Sequence, residues 1–185
     1  MQDERLERIL EAVRALPEEK RQRLLRRLME EYGLPAQESL PLAFTAAQLE
    51  GPADYELLFD GGSQGNPGPA YGSYRLTRTA DRRSDLVRLD FQQEMTNNEA
   101  EYQTLIAALE GLIGRIEAAG RDPGGFTVEV RGDSALVFHQ VEGTWKAKDD
   151  RMRALRNRMR ELLARFKAYR LMLQGREESV RALGH

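Results

Sequence analysis

The stretch Tyr55–Gly72, which reads YELLFDGGSQGNPGPAYG, decides how the chain is organised. An apolar run from Tyr55 to Phe59 ends on Asp60, and a segment rich in glycine and proline follows at once. This pattern predicts a β-strand that stops on a carboxylate, followed by a tight loop with few side chains. Glycines let backbone N–H groups approach a bulky polar partner. The alternative is an ordinary hairpin loop with a surface aspartate.

Downstream of this stretch, the sequence alternates between strand and helix patterns. Strands are predicted at Tyr55–Phe59, Tyr71–Arg78, Leu86–Gln92, Phe126–Val130 and Tyr169–Leu173, and helices from the Asn97-Asn98 pair to Gly120, over Ser134–Val141 and over Asp149–Lys167. Either asparagine is suited to cap the first helix. The order βββαβαβ predicts an α/β domain with a mixed five-stranded sheet.

The chain upstream of the first strand has a different pattern. Residues 1–32 predict a helical hairpin of two short amphipathic helices, and residues 33–54 predict a linker with three prolines. The α/β domain is then expected over residues 55–185. Because so small a hairpin cannot bury both apolar stripes, it must pack on the main domain, on a second copy or on a partner protein.

Composition excludes several classes of protein. The 185 residues include no cysteine and only two histidines, which excludes disulfides and thiolate metal sites and argues against a zinc site. No signal peptide or membrane-spanning run is recognisable, so we expect a cytoplasmic protein. The net charge is −2, yet residues 145–170 carry ten basic and three acidic side chains. This segregated charge is compatible with nucleic-acid binding by a subset of the arginines of a basic helix.

Three acidic residues occupy positions where a carboxylate is unusual. Two of them directly follow predicted strands, and the third lies inside a predicted helix. Asp60 and Asp133 each follow a strand, and parallel strands open at the same end of a sheet. Glu101 lies one turn into a helix, on an otherwise apolar face, where an acid is costly unless a positive charge meets it. Converging carboxylates favour a hard divalent cation such as Mg²⁺. The alternative is three independent surface or capping residues.

The motifs DGGSQGNPGPAYG, TNNEAEYQTLIAALEGL and VRGDSALVFHQVEGTWKAKDDRM together resemble those of the ribonuclease H family, in the branch without a basic handle. The resemblance covers about residues 55–178. It implies a ribonuclease H-like fold and sequence-nonspecific endonucleolytic cleavage of the RNA strand of RNA–DNA hybrids, with Mg²⁺ or Mn²⁺. It also implies that Asp60, Glu101 and Asp133 are catalytic residues and metal ligands.

The same resemblance implies a set of nucleic-acid contacts. Residues at positions that contact the hybrid are Gly62, Ser63, Gly65, Asn66, Asn97 and Asn98, with Thr96 in a pocket for a DNA phosphate and Trp145 and Lys146 leading into the basic helix.

The family pattern is not complete in this chain. Leu173 stands where the family has a histidine, Ala135 replaces a glutamine, and Leu183 falls near the position of the fourth acid. The candidate substitutes for that acid are Glu177, Glu178 and His185. Two further hypotheses therefore stand beside the enzyme. One is a weak or inactive module that binds hybrid or double-stranded RNA, and the other is an interaction protein whose N-terminal hairpin forms a homodimer or binds a partner.

Overall fold

A computed structural model describes residue 49 and residues 51–183, without the side chains of residues 178, 180 and 182. All of these residues belong to the second of two units into which the chain divides, Phe44–His185. The hairpin predicted over residues 1–32 and most of the linker lie outside the described residues. Both remain predictions.

The described part of the chain alternates between strands and helices. The strands are β1 (Tyr55–Ser63), β2 (Gly68–Arg78), β3 (Ser84–Met95), β4 (Thr127–Gly132) and β5 (Ala168–Leu173). The helices are α1 (Asn97–Ala118), α2 (Ala135–Glu142), α3 (Asp150–Leu163) and α4 (Arg176–Leu183), with a short 3₁₀ turn at Pro123–Gly125. No helix among these residues is long and apolar enough to cross a membrane.

The five strands form one mixed sheet in the order β3-β2-β1-β4-β5. Strands β1, β2 and β3 are antiparallel neighbours, whereas β4 runs parallel to both β1 and β5. The parallel pairs are joined through helices, as such crossovers require. The predicted α/β domain with a mixed five-stranded sheet is confirmed.

The core lies between the sheet and the long apolar face of α1. Leu57 and Phe59 on β1 are buried, as are Val128 and Val130 on β4. Alternate residues of both central strands therefore point to the same helical layer. On α1 the buried side chains include Tyr102, Leu105, Leu109, Leu112 and Ile116.

Strand β1 does not stop at Asp60, so that part of the prediction is wrong. Asp60 pairs with Ser73, and the antiparallel ladder continues to the Ser63–Ala70 pair. The glycines at 61 and 62 remain in the ladder with Gly72 and Tyr71 of β2, because the extended backbone conformation is available to any residue. The irregular loop is therefore only residues 64–67.

Helix α4 was not expected from the sequence. Its side chains at Ser179 and Leu183 are nevertheless buried. The backbone N–H of Gln174 continues the sheet pairing by donating to Gly132, and its side-chain amide donates to Ser179 Oγ at 2.9 Å. These contacts stabilise a helix of eight residues, which is too short to be stable on its own in water.

Gly61 allows α1 to approach β1 at van der Waals distance from the backbone. A methyl group at this position would lie 2.6 Å from the carbonyl oxygen of Ala100 and 2.8 Å from Cα of Glu101. Such distances are too short for any real Cβ, and the obstructing atoms are backbone atoms that cannot rotate away. The absence of a side chain at residue 61 thus sets the distance between the helix and the strand.

Replacing Gly61 with alanine should therefore destabilise the domain by about 1–3 kcal/mol, because α1 must move away from β1. Gly114, also on α1, is a matched control because a Cβ there meets nothing within 4 Å. Gly114→Ala should stabilise the protein by up to about 1 kcal/mol through helix propensity. Urea unfolding of the three proteins measures both effects, and equal losses in the two variants would contradict this account.

Candidate active site

Two of the three acids are placed on neighbouring strands. The parallel pairing of β1 with β4 runs from Tyr55–Val128 to Leu58–Arg131. Continuing the same register by two residues brings Asp60 opposite Asp133, just beyond the end of β4. The structure therefore brings these two acids to one end of the sheet, as the sequence predicted.

Glu101 reaches this end of the sheet from the first turns of α1. The close contact at Gly61 holds the backbone of Glu101 against β1, next to Asp60. Ser134, directly after Asp133, donates its hydroxyl proton to Glu101 Oε2 at 2.5 Å. The same Ser134 oxygen accepts the N–H of Val137 and so caps α2. One serine thus fixes both the start of a helix and the orientation of the glutamate.

The three acids influence one another electrostatically. Burial raises the pKa of Glu101 to about 7, and the negative charges of Asp133 and Asp60 raise it as well. The hydrogen bond from Ser134 and the positive charge of Arg176 act in the opposite direction. A pKa near neutrality shows that this end of the sheet disfavours a further negative charge and would favour a cation.

The donor atoms fit a hard divalent cation, since carboxylate oxygens are the ligands that Mg²⁺ and Mn²⁺ take in proteins. Their present arrangement is not that of a formed metal site. Among residues 49 and 51–183, no group of three or more acidic or histidine side chains is placed so that it could hold one ion. The metal-binding role of Asp60, Glu101 and Asp133 therefore stays a prediction.

The glycine-rich loop is fastened to the first turn of α1. The Ser63 N–H donates to Asn97 Oδ1 at 2.9 Å, and the Asn97 N–H donates to Asn66 Oδ1 at 3.2 Å. Gly65 has a φ of +114°, a conformation that side chains rarely adopt. The predicted residues Ser63, Gly65, Asn66 and Asn97 thus form one connected group beside the acids.

Gly62 does not contribute an exposed surface. It is buried, and a methyl group there would lie 2.9 Å from the hydroxyl of Tyr71. Tyr71 itself is 40% exposed. The sequence predicts Tyr71 only as a strand residue. The alternation of apolar and polar residues does not show which face of a strand lies beside a functional loop.

Thr96, and neither Asn97 nor Asn98, caps α1. The Thr96 hydroxyl accepts the N–H of Glu99, and the Glu99 carboxylate accepts the N–H of Thr96, which together form a capping box. These hydrogen bonds lower the pKa of Glu99. The predicted cap at an asparagine is wrong because threonine followed three residues later by glutamate satisfies two backbone donors. Asn97 and Asn98 are exposed in the first turn.

Trp145 and Lys146 lie on the surface after α2. The indole is 49% exposed and stacks on the ring of His139, with centroids 4.6 Å apart and planes at 29°. His139 Nδ1 lies 2.9 Å from the hydroxyl of Thr144, which holds the imidazole in place. His139 is itself half exposed. Its support of Trp145 was not found from the sequence.

Much of the basic helix is engaged within the protein. Arg160 is buried and donates to the carbonyl oxygen of Val141 at the end of α2. Ion pairs with acids of α1 join Arg151 to Glu99 at 3.2 Å, Arg158 to Glu110 at 2.7 Å and Arg165 to Glu117 at 2.6 Å. Arg160 is therefore not in the subset of arginines that could track a phosphate backbone, and the other three arginines already have acidic partners.

Within the described part of the tail, residues 174–183, no acid is placed so that it holds a metal ion together with the three carboxylates. Leu183 is fully buried in the hydrophobic interior. Glu177 is exposed, and the tail residue whose charge acts on Glu101 is the positive Arg176. The side chain of Glu178 and the whole of His185 lie outside the described residues. Substitution by any of these groups stays a prediction.

Several known proteins have sequences similar to that of this chain. A family model described as "Reverse transcriptase-like" matches residues 58–183. Ribonuclease HI of Halobacterium salinarum is 44% identical over 108 residues, which are 58% of this chain and 50% of that protein. A bifunctional protein of Mycobacterium tuberculosis is 39% identical over 114 residues, 58% of this chain and 28% of that protein. The matches thus span half or less of these relatives.

Solved structures show the same architecture. The crystal structure of RNase H1 from Halobacterium salinarum is 36% identical with a TM-score of 0.55, over 69% of this chain and 89% of that one. LC11-RNase H1, solved in complex with an RNA/DNA hybrid, is 28% identical with a TM-score of 0.57 over the same shares of each chain. The described domain therefore has a ribonuclease H-like fold.

The sequence match and the fold agree. The chain belongs to the ribonuclease H family, within the group that the reverse transcriptase-like model describes.

The raised pKa of Glu101 predicts how the metal-free protein responds to pH. Folded Glu101 keeps its proton up to a pKa of about 7, whereas an ordinary glutamate releases it near 4.5. Stability should therefore fall as the pH rises through this interval, by an amount on the order of 2–3 kcal/mol. Urea unfolding between these pH values should show the decline in the wild type and a flatter profile in Glu101→Gln. Parallel profiles would mean that Glu101 does not titrate here.

Proposed function

We propose that the chain is a metal-dependent endonuclease that hydrolyses the RNA strand of RNA–DNA hybrids without sequence preference. The observation that supports this proposal is that Asp60, Glu101 and Asp133, from three separate elements, lie at one end of the sheet, where the charges of both aspartates raise the pKa of Glu101. The related LC11-RNase H1, solved with an RNA/DNA hybrid, supports the choice of substrate.

In the proposed reaction, the three carboxylates hold Mg²⁺ or Mn²⁺. When bound, such an ion activates a water molecule and stabilises charge on the scissile phosphate. Ser134 keeps Glu101 oriented by its hydrogen bond. Burial and mutual repulsion make the ionised carboxylates costly without a cation, so a cation should bind and lower the pKa of Glu101.

We propose that the protein recognises the groove shape and the sugar-phosphate backbone of the hybrid, independently of its base sequence. Asn66, Asn98 and the backbone of the loop are exposed beside the acids, where they can reach 2′-hydroxyls in a wide minor groove. Trp145, supported by His139, offers a flat apolar face on which a sugar or base can rest. Lys146 adds a positive charge for a phosphate.

A second candidate is a module that binds hybrid or double-stranded RNA with little or no cleavage. Leu183 favours it, because a fully buried apolar side chain stands near the position that the family gives to a fourth acid. We prefer the enzyme because the glutamate at 101 is kept in a buried position that a binding module does not need.

Cleavage of a labelled hybrid in Mg²⁺ and in Mn²⁺ tests the enzyme directly. The wild type should cleave the RNA strand, and Asp60→Asn should reduce the rate at least about 100-fold because it removes a carboxylate ligand. Asp122→Asn is the matched control, since this exposed aspartate caps a 3₁₀ turn and asparagine preserves the cap.

The possible outcomes separate the two candidates. Binding of hybrid without cleavage by the wild type would favour the binding module. Equal residual activity in the wild type and Asp60→Asn would exclude an enzyme that uses this site.

Trp145→Ala should weaken hybrid binding by about 1–3 kcal/mol, as expected for loss of an aromatic stacking surface. The melting temperature should change little, because the indole is half exposed. Leu86→Ala, which removes an apolar side chain of 38% exposure on β3, serves as the control and should bind normally. Fluorescence anisotropy of a labelled hybrid in a buffer without divalent metal gives both affinities. Unchanged binding by Trp145→Ala would remove Trp145 from the interface.

A further inference from the structure

A second concave surface lies at the end of the sheet opposite the acids. It is a cavity of about 300 Å³ between the start of β1, the end of β2 and the last turns of α1. Asp60 is five residues along β1 from Tyr55, which lines this cavity. At about 3.3 Å per strand residue, the two sites are some 16 Å apart. This cavity, which we call the distal pocket, plays no part in the proposed nuclease reaction.

The floor of the distal pocket is apolar. It is formed by the aliphatic side chains of Leu76, Leu112 and Ile116 and by two aromatic rings. Tyr55 and Phe126 pack edge to face, with centroids 5.6 Å apart. A cavity of this size with such a floor suits one bulky apolar side chain of a ligand.

The rim of the distal pocket is positively charged. Its four arginines are Arg78, Arg83, Arg115 and Arg121. The Asp81 carboxylate accepts a hydrogen bond from Arg78 and forms an ion pair with Arg83. Asp85 forms an ion pair with Arg115 at 2.5 Å. Four arginines against two aspartates leave two positive charges in excess.

Internal pairing does not account for all of these arginines. Arg115 suits the negative end of the α1 dipole, which explains one of them. Arg83 shares the single carboxylate of Asp81 with Arg78, and its side chain is 84% exposed. Arg121 lies over the ring of Phe126 at 4.4 Å, so its charge is held above the apolar floor. Both positive groups are available to an acidic ligand.

The geometry points to the distal pocket as a docking site for an acidic peptide segment of a partner protein, with one bulky apolar side chain on the floor and carboxylates paired with the arginine rim. Charge complementarity selects this occupant, because guanidinium groups bind carboxylates in two-pronged hydrogen bonds. A nucleotide fits less well. One face of Phe126 is covered by Arg121 and its ring also packs against Tyr55, so no open pair of aromatic faces remains for a base.

The test uses the full chain and a fluorescein-labelled peptide of sequence EDLFDE, with binding followed by anisotropy. The peptide should bind, and affinity should fall as salt rises because the contacts are charged. A peptide EDAADE, which keeps the acids but has no bulky side chain, should bind at least about tenfold more weakly, as should a basic peptide KKLFKK.

Variants locate the binding site. Arg83→Glu and Arg121→Glu should each weaken binding of EDLFDE about tenfold by reversing a rim charge. Arg88→Glu is the matched control, since this exposed arginine of β3 lies outside the distal pocket, and it should bind within about twofold of the wild type. Ala119→Trp, at an exposed rim position, should block the cavity without disturbing the core.

Three results would overturn the proposal. In the first, EDLFDE does not bind at concentrations up to about 1 mM. In the second, Ala119→Trp binds the peptide as well as the wild type does, and in the third, adenosine monophosphate displaces the labelled peptide at a lower concentration than unlabelled peptide does. Hybrid cleavage is measured in parallel with saturating peptide. An unchanged rate is expected, because the acids lie at the other end of the sheet. A failure of peptide binding is thus distinguishable from a failure of the nuclease proposal.

Discussion

Helix α1 and strand β1 touch backbone to backbone at Gly61, and the candidate active site depends on this contact. Any side chain at Gly61 would overlap the carbonyl of Ala100 and the Cα of Glu101. The close approach holds the backbone of Glu101 against β1 beside Asp60, near enough that the charge of Asp60 raises the pKa of Glu101. The lack of a Cβ atom at residue 61 is therefore as necessary for this site as the acids are.

The distribution of charge follows from the same packing. Because α1 lies close to the sheet, its exposed side faces α3, and the arginines at 151, 158 and 165 meet acids of α1 there. Arg151 and Arg158, seven residues apart on α3, lie on the same side of that helix, and Arg165 follows its end. A basic segment that suggests nucleic-acid binding in the sequence is thus largely used to join two helices. Positive charge available to partners remains at Lys146 and around the distal pocket.

The tail, residues 174–183, differs from the pattern that the resemblance to the family implies. Leu183 lies near the position of an acid in the family, yet in this chain it is buried and helps to hold α4 against the sheet. The positive charge of Arg176 acts on Glu101 from the same helix. In this chain the described tail therefore presents a positive charge, that of Arg176, to the acids.

By itself, the sequence determined the order of the five strands and of the first three helices and the mixed sheet, and it identified the three acids as candidates, because periodicity, glycine breaks and motif spacing are local properties. It failed where a distant partner decides the outcome. Strand β1 continues past Asp60 because β2 pairs with it, and Arg160 is buried by the end of α2. The capping box of Thr96 and Glu99 is instead a local signal, which is ambiguous in the sequence because the two asparagines that follow Thr96 are also good caps. Whether a residue is exposed, paired or buried depends on contacts across many positions of the chain, and only the tertiary structure brings those positions together.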